Sequence, residues 1–507
     1  MFETLVTRNL PASAGEPAVF IGPQIRTYAD MAEDIDLWSA WIARREFSRH
    51  TRVLLSVDDP YLFAVLFFAT ERCALVPVCS TPALEPTPPR IAFLGVRAVF
   101  SERVPVGAPA IDWIKIGADW PKELRLVGLS PAPEPQRLPD DPVGILLSSG
   151  TTGEVKKVLV DRALIDRRMN NSDDIRLWGD SRRALCLIPF FTIGGVSSLF
   201  YALHYGGSMS YALAGEPWVE VLARRTFDAI LATPAQLQAM IAHLPADHRP
   251  DATLSITVGG GAPSRELVRM LRERVTPNIY LSYGATETGV VAQCHIDEVA
   301  SGAEAAGFPV PSVTVEIVGE DGVPMPAGQP GVVRIAGGQV VDGYADDPDR
   351  TATNFRDGWY YPGDLGYMDE AGSLTVLGRT DDLMNLGGAK LLPSFVEERI
   401  VRAAAGVSAA VFAAIAPGDV GPSLWVASEG PMPRDAVIAL APFSKFATIR
   451  LSSIETLPRN AMGKVDRTAL RGAATSGALR SRFATFEVRG AGAVVAKEGL
   501  EPPTPGL

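Results

Sequence analysis

The sequence predicts an α/β protein with a large N-terminal domain and a small α+β C-terminal domain, and three observations support this fold class. Helix-like and strand-like runs alternate over residues 1–140 and again over residues 185–281, which is typical of sheets with crossover helices. Residues 308–378 instead have short strand-like runs between Gly and Pro turns, which predicts a small β-rich subdomain. The pattern changes once more after Asp381, where an α+β domain fits the remaining runs.

The first third of the chain contains a strongly apolar run. Periodicity predicts a helix over residues 31–44 and a strand over residues 52–57, and the apolar run follows over residues 61–70. Glu71 and Arg72 end this run after about ten residues, whereas a membrane span needs about 20. We therefore expect a buried helix that leads into a core strand, and no transmembrane segment.

Later elements follow from the same kinds of pattern. Short apolar runs predict strands over residues 143–147, 158–160, 254–258 and 279–282. Ser264 with Glu266 indicates the start of a helix. Ser394 with Glu397 resembles a capping box, which would begin a helix in the C-terminal domain.

These patterns give three predicted parts of the chain. The N-terminal domain is expected to span residues 1–380 and the C-terminal domain residues 381–475. Residues 476–507 are rich in Ala, Gly, Ser and Pro and have no long periodic run. We expect them to form a loosely ordered tail, too short for an attached carrier domain.

Composition and charge exclude several classes of protein. The chain has 507 residues, of which 47% are hydrophobic, and this suffices for large cores and more than one domain. A formal net charge of −11 argues against a nucleic-acid-binding surface, so a polyanionic ligand must be held by local donors. The spacing of the 4 cysteines fits neither a disulfide framework nor a metal site. The N-terminus lacks the basic and apolar regions of a signal peptide. We therefore expect a soluble cytoplasmic enzyme.

The segment over residues 147–156 is the most informative one for function. It reads Leu-Ser-Ser-Gly-Thr-Thr-Gly-Glu-Val-Lys and combines four hydroxyl side chains, two glycines and one lysine in ten residues. Glycines let successive backbone N–H groups turn toward an anion, while hydroxyls and lysine add donors and charge. The segment lacks the Gly-Lys-Ser/Thr of a Walker A motif. By itself it fits either an oligophosphate site or a solvated turn.

Four further motifs follow along the chain. Tyr-Gly-Ala-Thr-Glu-Thr-Gly begins at Tyr283, Gly-Trp-Tyr-Tyr-Pro-Gly-Asp ends at Asp364, Gly-Arg-Thr-Asp-Asp contains Arg379, and Pro-Arg-Asn-Ala-Met-Gly-Lys ends at Lys464. In this order and spacing the five motifs resemble the class I adenylate-forming superfamily, which includes acyl- and aryl-CoA synthetases, carrier-protein-loading adenylation enzymes and luciferases. The resemblance extends to about residue 470. It implies that ATP and a carboxylic acid form an acyl adenylate and pyrophosphate, after which a thiol takes the acyl group and releases AMP.

The resemblance assigns phosphate-binding roles within these motifs. It implies that the β- and γ-phosphates are held by Ser148, Ser149, Gly150, Thr151, Thr152, Gly153 and Lys156. Val155 stands where the family usually has proline, and Lys157 where it usually has glycine. Thr286 would donate to the α-phosphate. Glu287 would hold Mg²⁺ on the phosphates, because this hard cation takes oxygen ligands.

Other motif residues would bind the nucleoside. The resemblance implies that Tyr283 stacks on adenine and that Asp364 accepts hydrogen bonds from both ribose hydroxyls. Arg379 would add a ribose or phosphate contact. Close backbone approach to the base is expected at Gly260, Gly261 and Ala262.

Two residues are implied to serve catalysis from the C-terminal domain. Lys464 is the expected catalytic residue for adenylation, because an ammonium group can neutralise the repulsion between the substrate carboxylate and the α-phosphate. Asp381 matches the family's hinge position. About it the mobile C-terminal domain would turn after adenylation, so that Lys464 leaves and the thiol enters.

The acid is expected to be uncharged. Residues 188–195 match the family's acyl pocket, and Phe191, Thr192 and Gly194 are the candidate residues there, together with Gly284. Thr192 occupies the position where many CoA ligases have histidine. The segment carries neither a charge nor the aspartate that binds the ammonium of amino-acid substrates. These features favour an aryl or medium-chain carboxylic acid.

The acceptor is expected to be CoA. The stretch that starts at Leu386 resembles one common in CoA ligases, although Lys390 replaces an asparagine and Phe395 an acidic residue. A separate acyl carrier protein is an alternative acceptor, because its phosphopantetheine presents the same pantetheine arm as CoA. A non-catalytic nucleotide-binding relative is a third hypothesis, motivated by the departures at Val155, Lys157 and Thr192. An oligomer is possible.

Overall fold

The structure is a computed structural model, and it describes most of the chain. The described residues are 14–80, 86–105, 110–128, 141–149, 155–170, 181–213, 215–224, 226–299, 305–386, 389–404, 406–417, 421–459, 465–489 and 493–500. For Ser149, Asn170 and residues 482–500 the description is limited to the backbone.

Residues 14–170 contribute a mostly parallel sheet with its helices, and two strands of a larger sheet. The strands are β1 (Pro17–Ile21), β2 (Gln24–Thr27), β3 (Arg52–Ser56), β4 (Val76–Cys79), β5 (Ala98–Ser101), β6 (Asp112–Lys115), β7 (Pro142–Ser149) and β8 (Val155–Asp161). The helices are α1 (Tyr28–Ala43), α2 (Pro60–Arg72), α3 (Pro88–Leu94), α4 (Trp120–Leu126) and α5 (Arg162–Asn170). Six strands form one sheet in the order β6-β5-β3-β4-β7-β8, which is parallel except for the antiparallel pair β7–β8.

Helix α2 is the strongly apolar run, and it is buried as expected. The Asp59 carboxylate caps it by accepting from the backbone N–H groups of Tyr61 and Leu62 at 2.7 and 3.1 Å, and Pro60 sets its first turn. Its side chains share an apolar core with strands of both N-terminal sheets. Every helix in the described ranges is too short or too polar to cross a membrane.

Residues 181–379 build a second, larger sheet. Its further strands are β9 (Arg183–Cys186), β10 (Ser208–Tyr211), β11 (Ala229–Ala232), β12 (Ser255–Val258), β13 (Asn278–Ala285), β14 (Gly289–His295), β15 (Ala305–Pro309), β16 (Val313–Val318), β17 (Gly331–Gly337), β18 (Phe355–Arg356), β19 (Trp359–Tyr360), β20 (Asp364–Met368) and β21 (Leu374–Arg379). The helices are α6 (Ile193–His204), α7 (Trp218–Ala223), α8 (Pro234–Ala242), α9 (Arg265–Arg274) and α10 (Pro348–Asn354), with a 3₁₀ turn over Ile296–Glu298.

The larger sheet joins the α/β part to the β-rich part. Its order is β18-β19-β17-β20-β21-β15-β14-β13-β12-β11-β9-β10-β1-β2, with β16 paired to β17. On one side of β13, the pairs that lead through β12, β11, β9 and β10 to β1 are parallel, as expected for short apolar strands joined by crossover helices. On its other side, the pairs that lead through β14, β15, β21, β20, β17 and β19 to β18 are antiparallel. The β13–β14 hairpin therefore lies where the two kinds of sheet meet.

The C-terminal residues form a separate α+β unit. Its elements are β22 (Met384–Leu386), β23 (Ala389–Leu391), α11 (Pro393–Ala403), β24 (Ala409–Ala414), β25 (Ser423–Glu429), α12 (Arg434–Ala439), a 3₁₀ turn (Ala441–Phe443), β26 (Ile449–Ile454), α13 (Arg467–Thr475), β27 (Arg482–Arg489) and β28 (Ala493–Leu500). The strands β24 to β28 form a sheet in chain order, and β22–β23 is a hairpin. The predicted fold class, with α/β sheets, a β-rich subdomain and an α+β C-terminal part, is confirmed.

The predicted capping box at Ser394 is wrong. Helix α11 begins at Pro393 after Leu392, and no side chain caps it. Ser394 Oγ donates to the carbonyl of Leu377, and the Glu397 carboxylate accepts from a backbone N–H of the next strand. Because proline is favoured at the first helical position, the helix starts two residues earlier than a cap at Ser394 would require.

The C-terminal stretch also differs from the loosely ordered tail expected from residue 476. Strands β27 and β28 pair with each other, and β27 extends the sheet from β26. Aromatic and β-branched residues such as Phe483, Phe486 and Val488 favour strands, and the Ala- and Gly-rich average of the stretch conceals them.

Candidate active site

Strands β7 and β8 are the two stems of the candidate phosphate loop. They pair with Ser148 opposite Lys156 and Ser149 opposite Val155. The expected loop residues Gly150, Thr151, Thr152 and Gly153 lie outside the described residues. The structure thus places Ser148 and Lys156 side by side at the base of the loop.

Lys156 and Lys157 lie on opposite faces of β8, because side chains alternate along a strand. Lys156 Nζ donates to the Tyr344 hydroxyl at 3.1 Å, and burial lowers the pKa of its ammonium group. Lys157 is 6% exposed, donates to the Phe93 carbonyl at 2.8 Å and forms an ion pair with Asp346 at 2.7 Å. The charge that Lys157 adds in place of the usual glycine is therefore bound on the face away from Lys156.

The expected metal-binding carboxylate lies at the tip of the β13–β14 hairpin. A Cβ on Gly284 would lie 2.1 Å from the carbonyl oxygen of Gly289, so the tight turn requires glycine there. Glu287 is buried at 4% exposure, and Thr286 beside it is half-buried. Gly284 itself is exposed, which keeps it a candidate for the substrate pocket.

Two hydroxyl groups donate to the same carboxylate oxygen of Glu287. Ser148 Oγ reaches Oε1 at 3.2 Å and the Tyr344 hydroxyl reaches it at 2.9 Å. Burial raises the pKa of Tyr344, so its phenol remains a donor. Tyr344 was not predicted from the sequence, because nothing in a single sequence separates it from the other tyrosines of the β-rich part.

A buried arginine supports the Thr286–Glu287 turn from behind. Arg168 in α5 is 4% exposed, and its Nη2 donates to the carbonyls of Thr286, Glu287 and Gln339 at 3.3, 3.2 and 3.0 Å. Burial lowers the pKa of Arg168 to about 10. This residue was not predicted either, since Arg167 and Arg168 look like one solvated pair in the sequence.

The expected nucleoside-binding residues form one hydrogen-bonded group. The Tyr283 hydroxyl donates to Asp364 Oδ2 at 2.5 Å, and Arg379 Nη1 donates to Asp364 Oδ1 at 3.0 Å and to the Pro362 carbonyl at 2.5 Å. Arg379 Nε is buried and has no hydrogen-bond partner among the described residues. Burial raises the pKa of Tyr283, as does the adjacent Asp364 carboxylate.

The expected adenine loop follows β12 at the same edge of the sheet. Val258 lies opposite Leu281 in the parallel pair β12–β13, so the residues after β12 run toward the level of Tyr283. Gly260 has φ of 76°, which glycine adopts without strain. The exposed residues of this turn are Gly260, Gly261 and Ala262.

The candidate acyl-pocket residues lie at the start of α6. Thr192 is its N-cap: Oγ1 accepts from Gly195 N at 3.4 Å and donates to the Pro189 carbonyl at 2.7 Å. Its hydroxyl is thus engaged by the backbone where many CoA ligases have a histidine. Phe191 and Gly194 are half-buried, and Phe191 packs edge-on against Phe190 at 5.6 Å between ring centroids.

The residues on either side of Asp381 are bound to different parts of the molecule. Thr380 donates to the Gly363 carbonyl from N at 2.8 Å and from Oγ1 at 3.0 Å. Asp382 accepts from Arg471 Nη2 of α13 at 2.9 Å. Asp381 lies between these anchors with a side chain that is 54% exposed. The expected catalytic residue Lys464 lies outside the described residues.

Comparisons with known proteins cover most of the chain. A family model described as AMP-binding enzyme matches residues 7–345. An indoleacetate–CoA ligase from Aromatoleum aromaticum is 27% identical, over 92% of this chain and 96% of that protein. A fatty acid–acyl-carrier-protein ligase from Streptomyces coeruleorubidus is 31% identical, over 66% of this chain and 67% of that protein.

A solved structure shows the same fold. ATP-bound MatB from Rhodopseudomonas palustris has a TM-score of 0.80 and 23% identity, over 93% of this chain and 99% of that one.

Proposed function

Because the chain belongs to the family of AMP-binding enzymes, we propose that it activates a carboxylic acid with ATP and transfers the acyl group to a thiol. The resemblance drawn from the five motifs is confirmed, and so is the enzyme class, an AMP-forming acid–thiol ligase. One observation supports the proposed site above all others. The β13–β14 hairpin joins separate motifs, since Tyr283 bonds to Asp364 while Glu287 bonds to Ser148.

In the first half-reaction two anions must meet, so charge neutralisation and positioning should dominate catalysis. Ser148 and Lys156, with the loop residues between them, would hold the β- and γ-phosphates, and Thr286 would donate to the α-phosphate. Glu287 fits Mg²⁺, because this ion is commonly held by one carboxylate together with phosphate oxygens and water. The described residues contain no cluster of three or more metal-binding side chains that could hold it otherwise. When bound, the ion would neutralise phosphate charge.

The group around Asp364 would bind the nucleoside. Each Asp364 oxygen accepts one bond from Tyr283 or Arg379 and keeps a second lone pair for a ribose hydroxyl. The buried Nε of Arg379, without a partner among the described residues, supports a ribose or phosphate contact. The Tyr283 ring would stack on adenine beside the turn at residues 260–262.

Lys464 would act in adenylation and Asp381 would be the pivot of the C-terminal domain. The support for the pivot is local. Thr380 is bound to Gly363 and Asp382 to Arg471, so a reorientation of the C-terminal domain would change the backbone conformation at Asp381. Residues 1–380 and 381–475 would then form the fixed and the moving domain.

The acid would be uncharged, and CoA would be the acceptor. Phe191 is half-buried, and the Thr192 hydroxyl caps α6. These two side chains would give the pocket an uncharged wall, which suits an aryl or medium-chain acid. The indoleacetate–CoA ligase supports an aryl acid and CoA. The fatty acid–acyl-carrier-protein ligase supports the alternative of an aliphatic acid and a carrier protein.

Acid-dependent exchange of pyrophosphate into ATP tests this function. A panel of aryl and aliphatic acids is screened with Mg²⁺, and the active acids are then offered CoA or a phosphopantetheinylated carrier protein. We expect an uncharged acid to stimulate exchange and CoA to accept the acyl group. If no acid stimulates exchange, the non-catalytic hypothesis replaces this one.

The variant Lys464→Ala tests the assignment of the catalytic residue. We expect it to abolish acyl-adenylate formation, while pre-formed acyl adenylate still reacts with the thiol, because the lysine is needed only where two anions meet. The two half-reactions are measured separately, and Lys445→Ala, in the same domain, is the control. Equal loss of both half-reactions in Lys464→Ala would contradict its role.

A further inference from the structure

Tyr344 occupies the position between the two charged groups of the proposed phosphate site. Its hydroxyl accepts a hydrogen bond from Lys156 Nζ at 3.1 Å and donates one to Glu287 Oε1 at 2.9 Å. Lys156 Nζ also lies 4.9 Å from the centre of the phenol ring. Tyr344 is 6% exposed.

This arrangement keeps an ammonium and a carboxylate from pairing directly. A buried lysine and glutamate in contact would form an ion pair, and each would then be partly neutralised before a nucleotide arrived. The phenol binds both groups at once, because a hydroxyl can donate to the carboxylate while it accepts from the ammonium. Lys156 and Glu287 therefore stay separated while both remain next to Ser148.

The backbone around Tyr344 is held from several sides. Tyr344 N donates to Thr351 Oγ1 at 2.9 Å, and a Cβ on Gly343 would lie 2.4 Å from a methyl carbon of Thr351. Ala345 N donates to the Lys157 carbonyl at 2.8 Å. The residue that carries the phenol is thus fixed to β8, the strand that carries Lys156.

Asp346, two residues further on, completes this attachment. It accepts from Lys157 at 2.7 Å and from Arg52 at 2.5 and 3.1 Å, and it adopts a left-handed conformation with φ of 57°. A non-glycine residue with positive φ persists where its surroundings hold it in place. Lys157, which departs from the glycine usual in the family, is therefore part of what fixes Tyr344.

We propose that Tyr344 is a positioning residue, whose hydroxyl holds Lys156 and Glu287 apart so that the lysine meets nucleotide phosphate and the glutamate meets the metal ion. The proposal rests on the proposed function, because it takes the roles of Lys156 and Glu287 from it. Tyr344 acts through these two side chains.

The variant Tyr344→Phe tests the proposal, because it removes the hydroxyl and keeps the ring. The control is Tyr280→Phe, since the Tyr280 hydroxyl has no hydrogen-bond partner in the described part of the chain. Calorimetric titration of each protein with Mg·ATP measures the dissociation constant without any turnover. We expect about a tenfold weaker Mg·ATP affinity in Tyr344→Phe, as for one lost hydrogen bond to a charged group, and no change in the control.

Two further measurements separate positioning from a purely structural role. In Tyr344→Phe the KM for the acid should stay at its wild-type value. The melting temperature should fall modestly, because two buried hydrogen bonds to charged groups are lost. Unchanged Mg·ATP affinity, or a lower melting temperature with unchanged affinity, would overturn the proposal. If the wild-type protein itself does not bind Mg·ATP, the proposed function fails instead. Should Tyr344→Phe not fold, Thr351→Val loosens the same residue from outside and should weaken Mg·ATP binding in the same direction.

Discussion

Replacing Arg168 tests whether one buried guanidinium holds the Thr286–Glu287 turn in place. In Arg168→Met, the carbonyls of Thr286, Glu287 and Gln339 lose a charged donor that lies 3.0–3.3 Å away. Arg168 Nε also donates to the Gln339 carbonyl, at 3.1 Å, and the two bonds to that oxygen are counted as one contact. At about 1.5 kcal/mol for each of the three carbonyls, the loss is about 4 to 5 kcal/mol.

The removal of a buried charge offsets most of this loss. Burial lowers the pKa of Arg168 from 12.5 to about 10, which corresponds to a cost of about 3 kcal/mol for keeping the charge inside. Methionine removes that cost, so the net destabilisation of Arg168→Met should be about 1 to 2 kcal/mol. In Arg168→Lys the buried charge stays. The lysine ammonium can reach only one of the three carbonyls, so the other two lose their donor and the protein is destabilised by about 3 kcal/mol. The chemically closer lysine should therefore be the less stable variant.

Thermal denaturation and pyrophosphate exchange check this reasoning. The melting temperatures should fall in the order wild type, Arg168→Met, Arg168→Lys. Arg167→Met removes one exposed hydrogen bond to the Gly338 carbonyl, so its free energy of unfolding should lie within about 1 kcal/mol of wild type. Exchange should fall at least about tenfold in both Arg168 variants, because Thr286 and Glu287 lose their support. A lysine variant that melts at or above the methionine variant would refute the balance of charge burial and hydrogen bonding.

Three further substitutions have defined outcomes. Arg52 and Lys157 hold the pKa of Asp346 below its usual range, so the ion pair contributes to stability above about pH 4 and is lost in stronger acid. Asp346→Asn should therefore lower the free energy of unfolding at pH 7 by about 1 kcal/mol for this half-exposed group, seen as a lower melting temperature. The difference from wild type should shrink as the pH falls below about 4. Gly284→Ala should cost about 3 kcal/mol in chemical denaturation and abolish exchange, because its Cβ meets the β13–β14 turn. Thr192→Ala should cost about 1 kcal/mol by removing the cap of α6, and Thr192→Ser should restore it; equal stability of the two would contradict the capping role.

The fold was predictable where local pattern and tertiary structure agree. Helix α2 and strand β4 were expected from one apolar run, because burial on all sides leaves no amphipathic ambiguity. The start of α11 was missed because Pro393 overrides the capping pattern of Ser394. The hairpin β27–β28 was missed because average composition hides the order of its residues.

The candidate site was predictable only as far as its motifs reach. Glu287, Asp364 and Arg379 stand in recognisable segments, and the sequence analysis expected each of them at the nucleotide. Tyr344 and Arg168 act through contacts with residues more than a hundred positions away along the chain, such as Tyr344 with Lys156 and Arg168 with Glu287. A single sequence carries no signal for such pairings, because neither residue differs from its neighbours in type or local pattern.

The attachment of Thr380 and Asp382 limits how the C-terminal residues can turn. Thr380 is held at Gly363 and Asp382 at Arg471, and a bond from Asp382 N to the Arg379 carbonyl at 3.3 Å closes a turn around Asp381. The proposed reorientation of the C-terminal domain would then be a rotation centred on this point. Two optical labels placed on either side of it would report an angle, and a proline at this position would restrict the rotation by fixing φ.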